Sequence, residues 1–125
     1  MIVLRNTDEE LERNLTPNFK GKEFRCKCKQ CYVTLISSKL LYSLETLRRV
    51  WGEAIYLNSA YRCQQHNRSE ATKGSDYSNH ISGRAVDLAL PLDEGKRERF
   101  ITLLKAIFPY TKIYSVHIHC DVRGR

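Results

Sequence analysis

The sequence predicts an α+β fold in which a small, mostly antiparallel sheet has helices packed on one side. Two stretches have the apolar spacing of amphipathic helices, one after residue 38 and one at roughly residues 93–107. Short β-type segments lie between these helices and near the end of the chain. A length of 125 residues favours one domain, residues 1–125, with one apolar core.

Residues 1–15 are predicted to form an N-terminal helical extension. Asn6 and Thr7 precede three acidic residues, as at many helix N-termini, and Leu11 and Leu15 follow at helical spacing. The Thr-Pro-Asn sequence that comes next ends this pattern. An irregular segment anchored by two phenylalanines is expected to follow it.

The most regular predicted element is a helix that begins near Ser37 and Ser38, both of which are suitable N-cap residues. Its apolar residues fall on one stripe, which indicates packing against a core. Gly52 provides the stop signal at its end. The residues of the stripe are Leu40, Leu41, Leu44, Leu47 and Trp51.

Strands and one long loop are predicted in the second half of the chain. Residues 54–57 read as a strand, and the polar residues 63–79 read as a long loop, which is often functional in a compact domain. Residues 85–89 are predicted to be a strand, and Asp93 is a suitable cap for the second helix. Residues 112–122 are predicted to form one final strand.

Two histidine-containing segments carry the strongest chemical signal. His80 and Asp87 lie seven positions apart with a glycine between them, and Asp87 falls in a predicted strand. In the last predicted strand, His117, His119 and Asp121 share one face because alternate side chains point to the same side. If the two strands are neighbours, they offer imidazole, carboxylate and imidazole to one cation.

Zinc is the cation that suits this set of ligands. Imidazole nitrogen and carboxylate oxygen both bind Zn²⁺, and three protein ligands leave a fourth position for water. Zinc makes such a water molecule nucleophilic near neutral pH and also polarises a carbonyl oxygen. The alternative is that His117-x-His119 is a solvated strand face, which is the common meaning of an isolated motif.

The five cysteines do not predict a disulfide framework, because no export signal accompanies them. Cys26, Cys28 and Cys31 could hold a structural metal, but they are one ligand short of four. Reduced thiols in a turn are therefore favoured, with pairing to Cys63 left open. Cys120 is expected to be a small buried apolar residue.

The net charge of +7 implies attraction to an anionic partner, such as nucleic acid, a membrane surface or a cell-wall polymer. No run of 18 apolar residues is present, so no membrane helix is expected. The N-terminal residues lack signal-peptide features, so synthesis in the cytoplasm and delivery by another route are expected. Because the basic residues are scattered, a zinc-dependent nucleic-acid binder is the least favoured alternative.

Several motifs together resemble the zinc D-Ala-D-Ala carboxypeptidase and L,D-endopeptidase family. The central one is Ser78-x-His80-x-x-Gly83-x-Ala85-x-Asp87, and a late His-x-Asp strand follows it. Family members are peptidoglycan-cleaving metallopeptidases that share a fold with the signalling domain of hedgehog proteins. The likeness covers nearly the whole chain after its first fifteen residues and extends to a compact subgroup frequent in phages and their hosts. Further matching segments are Leu47-Arg48-x-x-Trp51-Gly52, Asn58-Ser59-Ala60-Tyr61-Arg62, Phe24-x-Cys26-x-Cys28 and Asp121-Val122-Arg123-Gly124.

The resemblance implies His80, Asp87 and His119 as the ligands of one catalytic Zn²⁺. Arg62 matches an arginine that binds a substrate carboxylate or stabilises the scissile carbonyl oxygen, tasks that suit a guanidinium. Ser78 is expected beside the site as a hydrogen-bond partner of the substrate. The implied partners are peptidoglycan peptides and the anionic cell wall, and a monomer is expected.

One departure from the family pattern concerns the general base. Many members carry Glu or Asp three residues before the last ligand histidine, where this chain has Val116. His117 is the first candidate to replace it, because an imidazole exchanges protons near neutral pH and is expected on the metal face. Asp121 and Tyr114 are weaker candidates, and Asp121 is also suited to holding a ligand histidine in position.

The resemblance therefore favours a zinc metallopeptidase acting on peptidoglycan stem peptides, as a D-Ala-D-Ala carboxypeptidase or an endopeptidase. A role in phage lysis or within a virion would bring such an enzyme to the cell wall. The alternative is a non-catalytic module of the same fold that binds zinc and peptide, which the missing acidic residue at position 116 favours.

Overall fold

A computed structural model describes residues 1–67 and 78–123 of the chain. The strands are β1 (Ile2–Arg5), β2 (Asn14–Thr16), β3 (Phe19–Lys20), β4 (Val33–Ile36), β5 (Leu57–Ser59), β6 (Ala85–Ala89), β7 (Tyr110–Ile113) and β8 (His117–Asp121). The helices are α1 (Asp8–Leu11), α2 (Ser38–Trp51), α3 (Gln64–Asn67) and α4 (Glu94–Ile107), and a 3₁₀ turn covers Gly21–Phe24.

The main sheet is antiparallel throughout, with the strand order β5-β6-β8-β7. One side of its two central strands is fully buried, and α2 and α4 contribute leucines and aromatic residues to the same apolar core. Two smaller sheets pair β1 with β4 and β2 with β3. These features confirm the predicted α+β class. The buried residues of the central strands are Val86, Leu88, Ile118 and Cys120.

Both long helices begin where capping residues were predicted. The Ser37 hydroxyl accepts from the Leu40 amide at 3.3 Å, and the Asp93 carboxylate accepts from the Lys96 amide at 2.9 Å. The first helix ends at Gly52, whose left-handed φ of 82° suits a residue without a Cβ. These two helices have 14 residues each, so neither approaches the length of about 20 residues that spans a bilayer, and no other described helix does.

Residues 1–15 do not form the predicted helical extension. They begin with β1, which pairs with β4 and buries Leu4 in the core. The predicted helix start at Thr7 is present, but the helix is a single turn, Asp8–Leu11. Burial alternates along the first strand, as expected for period two. Four residues, three apolar and one basic, are too few to show this period in the sequence.

The predicted final strand at 112–122 is two strands joined by a tight turn. The Tyr114 amide donates to the His117 carbonyl at 2.9 Å, which closes the hairpin between β7 and β8. Ser115 therefore lies in the turn and does not share a strand face with His117. With β6 on its other side, β8 is a central strand whose backbone groups are paired along both edges.

Two other boundaries differ from the predicted ones. The strand expected at 54–57 is regular only at Leu57–Ser59, although the Tyr56 carbonyl already accepts from the Ala89 amide at 3.0 Å. The loop predicted at 63–79 contains α3, and its residues 68–77 lie outside the described part of the chain.

Candidate metal centre

Asp87 and His119 face each other from the two central strands of the main sheet. They are directly paired in the antiparallel register of β6 and β8. Because side chains alternate along a strand, their neighbours Val86 and Cys120 point the opposite way into the core. Asp87 Oδ1 lies 3.0 Å from Nδ1 of His119, so strand register alone brings these two side chains into contact.

His80 reaches the same point from the turn that precedes β6. The Ser78 hydroxyl accepts from the His80 amide at 3.1 Å, and the His80 carbonyl accepts from the Gly83 amide at 3.3 Å. The His80 side chain is part of the core at 1% exposure, and its Nδ1–H donates to the Ala60 carbonyl at 2.7 Å. In the neutral imidazole this bond makes Nε2 the acceptor nitrogen.

The Nε2 atom of His80 lies 3.3 Å from Asp87 Oδ1, yet it has no hydrogen-bond partner among the described residues. In the neutral imidazole Nε2 carries no proton and cannot donate to the carboxylate, so both facing atoms are acceptors. Two acceptors that face each other at this distance are stabilised by a cation between them. The orphaned nitrogen is therefore the observation that most directly indicates a metal.

The second imidazole is held between two carboxylates. Nε2 of His119 lies 2.9 Å from Asp121 Oδ2, while its Nδ1 faces Asp87. Asp121 is buried, and the Arg123 guanidinium donates to its carboxylate at 3.0 Å. A carboxylate only accepts, so Asp121 keeps a proton on Nε2 and turns Nδ1 toward the site. Supporting contacts of this kind typically change metal affinity by about 10–100-fold.

The electrostatics of the site favour a bound cation. Burial raises the pKa of Asp87, but the facing imidazoles of His119 and His80 lower it more, so it lies well below its usual range. Burial lowers the pKa of His119, but Asp87 and Asp121 outweigh this and raise it above its ordinary value. The proton shared between His119 Nδ1 and Asp87 is the one that a divalent cation would displace.

The residues present fit a zinc ion. One ligand atom from each of His80, Asp87 and His119 lies within 4.8 Å of the others. Two imidazole nitrogens and one carboxylate oxygen are ligands that zinc accepts, and three protein ligands leave a position for water or substrate. His80 would bind through Nε2, Asp87 through a carboxylate oxygen and His119 through Nδ1.

These residues lie in an open pocket of about 480 Å³ that also holds the other predicted site residues. Arg62 is fixed by its amide, which donates to the His80 carbonyl at 3.1 Å, and its Nε is buried without a partner among the described residues. His117 lies two residues before His119, and its ring stacks on Tyr114 with centroids 4.5 Å apart. The pocket is lined by Arg62, Ser78, Asn79, His80, Asp87, Tyr114, His117, His119, Asp121 and Arg123.

Two pocket residues received no role from the sequence. Arg123 holds the Asp121 carboxylate and lies 3.5 Å from the centroid of the Tyr110 ring. Asn79 donates to the same carboxylate at 3.5 Å. The sequence signal for Arg123 was its place in the matching segment Asp121-Val122-Arg123-Gly124, although it lies two residues beyond the end of β8.

The cysteine cluster is not one ligand short, contrary to the prediction from residues 26–31 alone. Cys63 joins it, and its Sγ lies 3.7 Å from the Sγ atoms of both Cys26 and Cys28. Cys31 completes a group of four sulfurs. The sequence left pairing with Cys63 open but did not identify it as a fourth ligand, because 31 residues separate it from Cys31 and only the fold closes that gap.

An α+β domain that brings His, Asp and His together in an open pocket beside its central strands has the framework of a metal-dependent hydrolase. The chain belongs to the peptidase M15 family, whose sequence model matches residues 17–121. This is a family of zinc-dependent peptidases, and the predicted resemblance is confirmed. Comparison with curated proteins and with solved structures gave no significant match.

Proposed function

We propose that the chain is a zinc metallopeptidase that hydrolyses peptide bonds in peptidoglycan stem peptides. The observation that carries this proposal is the convergence of His80, Asp87 and His119 in an open pocket that also contains a guanidinium. Family membership supports peptide hydrolysis. The choice of peptidoglycan rests on the motif resemblance and on the net charge of +7, which suits an anionic cell wall.

When bound, zinc would supply Lewis acidity at the scissile carbonyl and an activated water molecule as nucleophile. The residues of the chain prepare the site for these events. Asp121 keeps the His119 ring turned so that Nδ1 faces the metal position. The Ala60 carbonyl accepts from Nδ1 of His80 and so keeps Nε2 of that ring directed at the metal position.

Arg62 is proposed to bind the negative charge of the substrate. Its guanidinium lines the pocket beside Asp87, and its Nε is buried without a partner among the described residues. A guanidinium donates two parallel hydrogen bonds to a carboxylate and also stabilises a developing oxyanion. The first role belongs to a D-Ala-D-Ala carboxypeptidase, whose substrate has a free terminal carboxylate, and the second serves an endopeptidase equally well. Ser78, at the pocket edge, is proposed as a hydrogen-bond partner of the bound peptide.

The proposed activity will be tested on purified peptidoglycan and on soluble stem peptides ending in D-alanyl-D-alanine. We expect new peptide products by mass spectrometry, loss of activity on dialysis against a chelator and recovery on addition of zinc. Release of free D-alanine would identify a carboxypeptidase, and cleavage inside the stem or its cross-links would identify an endopeptidase. Zinc-loaded protein that leaves all these substrates intact would contradict the proposal.

His117 is proposed as the group that accepts the proton of the attacking water on an imidazole nitrogen. It lines the pocket, whereas Val116 lies in the turn before β8, is 65% exposed and does not line it. Stacking against Tyr114 fixes the plane of the His117 ring. His117 offers an imidazole, which is suited to proton exchange near neutral pH, beside the metal ligands on β8. The other imidazole on this strand, His119, is already paired with Asp121.

Replacing His117 with alanine or glutamine should lower kcat by about 10²–10⁴-fold, the usual contribution of a general base, while zinc content stays at the wild-type level. Tyr114→Phe is the companion variant, because it keeps the stacked ring and removes only the hydroxyl. Unchanged turnover in the His117 variants together with a loss in Tyr114→Phe would transfer the role to Tyr114.

A non-catalytic module that binds zinc and peptide is the second candidate function. The observation that favours it is the apolar, exposed Val116 at the position where many family members carry an acidic base. Such a module would bind stem peptides with the same residues and release no product. The hydrolysis assay separates the two functions, provided that peptide binding is measured in parallel.

A further inference from the structure

A second group of metal-ligating side chains lies outside the peptidase site. Cys26, Cys28, Cys31 and Cys63 each offer a sulfur atom, and these four atoms lie within 4.8 Å of one another. We propose that the four cysteines bind a structural zinc ion in addition to the ion held by the histidines and aspartate. This site does not depend on the proposed peptidase activity.

The sulfur–sulfur distances are those of a tetrahedral thiolate site. Zinc–sulfur bonds of about 2.3 Å at tetrahedral angles put neighbouring sulfurs about 3.8 Å apart. The Sγ of Cys63 lies 3.7 Å from Cys26 and 3.7 Å from Cys28. A disulfide would instead bring one pair to about 2.05 Å and separate it from the others. One sulfur atom that is equally close to two others is expected when all three bind one metal ion, and it is not expected when the cysteines form separate disulfide pairs.

Amide donors surround these sulfur atoms. Such donors stabilise the thiolate, which is the form of cysteine that binds a metal. These N–H groups are placed to stabilise the negative charge that the sulfur atoms would carry as zinc ligands. The contacts are Gln30 N to Cys28, Cys63 N to Cys26 and His66 N to Cys63, each at 3.4 Å, and Asn6 Nδ2 to Cys31 at 3.7 Å.

The local charge and backbone agree with this site. Four thiolates around Zn²⁺ carry a net negative charge, and Arg25, Lys27 and Lys29 alternate with the first two cysteines of the cluster. Lys29 has a left-handed φ of 58°, which is unfavourable for a residue with a Cβ and persists only where its surroundings enforce it. It lies in the tight turn between Cys28 and Cys31, which binding of both sulfurs to one ion would hold in place.

The proposed ion joins the segment after the 3₁₀ turn to the segment that carries Arg62. Cys63 follows Arg62 directly, and the Tyr61 amide donates to the Phe24 carbonyl at 3.2 Å between the same two segments. A metal bound by the cysteines would therefore fix the backbone that positions the Arg62 guanidinium in the pocket. This makes its role structural, since the four thiolates complete the zinc coordination and leave no position for water.

Zinc content of the purified, reduced protein is the first test. After removal of loosely bound metal we expect two zinc ions per chain in the wild type, one in Cys31→Ser and one in His119→Ala. Cys120→Ala is the matched control, because Cys120 is buried in the core and outside the cluster, and it should keep both ions. A Cys31→Ser protein that keeps the wild-type zinc content would overturn the proposal.

Cobalt substitution of the His119→Ala protein provides a test that needs no cysteine replacement. With the peptidase site disabled, bound Co²⁺ should give the intense thiolate-to-cobalt charge-transfer absorption of a site with four sulfur ligands. Thermal stability should also fall on chelation, because a structural metal contributes to folding. Absence of the charge-transfer band, or four thiols that react with a thiol reagent equally fast with and without zinc, would overturn the site even if the enzyme proves active.

Discussion

Asp87→Ala should lower the zinc content by one ion per chain and reduce peptide hydrolysis to the level of metal-depleted protein. Asp87 is the only anionic ligand of the proposed set, and its Oδ1 lies 3.0 Å from His119 and 3.3 Å from His80. Its removal leaves two imidazoles that offer no charge to balance a divalent cation. The loss should therefore exceed the roughly 10–100-fold typical of residues that only support a ligand.

The matched control for this variant is Asp93→Ala. Asp93 also accepts a hydrogen bond, from the Lys96 amide at 2.9 Å, but it caps α4 and does not line the metal pocket. Its replacement should cost about 1 kcal/mol of folding free energy and leave zinc content and turnover unchanged. If Asp87→Ala kept wild-type zinc content and activity, the proposed ligand set would be wrong.

Gly83→Ala should lower stability more than alanine at any other glycine that the structure describes. Gly83 has φ of 72°, and a Cβ there would lie 2.4 Å from the carbonyl oxygen of Leu35 and 3.0 Å from the Ile36 nitrogen. The left-handed conformation costs about 1–2 kcal/mol with a Cβ, and the collision adds about 1–3 kcal/mol. Because the amide of Gly83 donates to the His80 carbonyl, relief of the collision should also displace His80 and weaken zinc binding.

Gly52→Ala separates the two causes. Gly52 has φ of 82°, but a Cβ there would meet nothing within 4 Å. Only the conformational cost of about 1–2 kcal/mol should therefore appear, with zinc affinity unchanged. Denaturant unfolding of both variants, followed by zinc titration of the folded protein, makes the comparison. Equal losses of stability in the two variants would contradict the close packing of Gly83 against β4.

The parts of the fold that could be predicted from the sequence are those set by local spacing. The helix Ser38–Trp51 has a cap, an apolar stripe and a terminal glycine, all within one short segment. The strand Ala85–Ala89 and the shared face of His117, His119 and Asp121 follow from period-two alternation. These local rules placed Asp87 and the His117, His119 and Asp121 face on strands, and the family resemblance then selected His80, Asp87 and His119 as the ligand set.

The parts that could not be predicted depend on contacts between distant segments. Composition does not mark the turn that divides residues 110–121 into two strands, because the turn itself contains Tyr114 and Val116. The first strand, Ile2–Arg5, forms because it pairs with β4, and its own four residues do not predict it. Cys63 joins the other cysteines only because the fold brings its segment beside the 3₁₀ turn.

The orientation of the histidines also required the structure. The sequence named His80 and His119 but gave no sign of which ring nitrogen is available. The carbonyl of Ala60 determines this for His80, and the carboxylate of Asp121 determines it for His119. The metal-binding properties of the site therefore depend on the backbone and side-chain groups that orient the ligands as much as on the ligands themselves.

A crystal structure of the zinc-loaded protein, with anomalous diffraction measured on both sides of the zinc absorption edge, would decide whether the pocket binds this metal. The expected result is an anomalous peak bonded to Nε2 of His80, a carboxylate oxygen of Asp87 and Nδ1 of His119, at zinc–ligand distances of about 2.0–2.2 Å. A fully loaded protein with no peak between these three atoms, or with the ion held by His117 in place of His119, would contradict it.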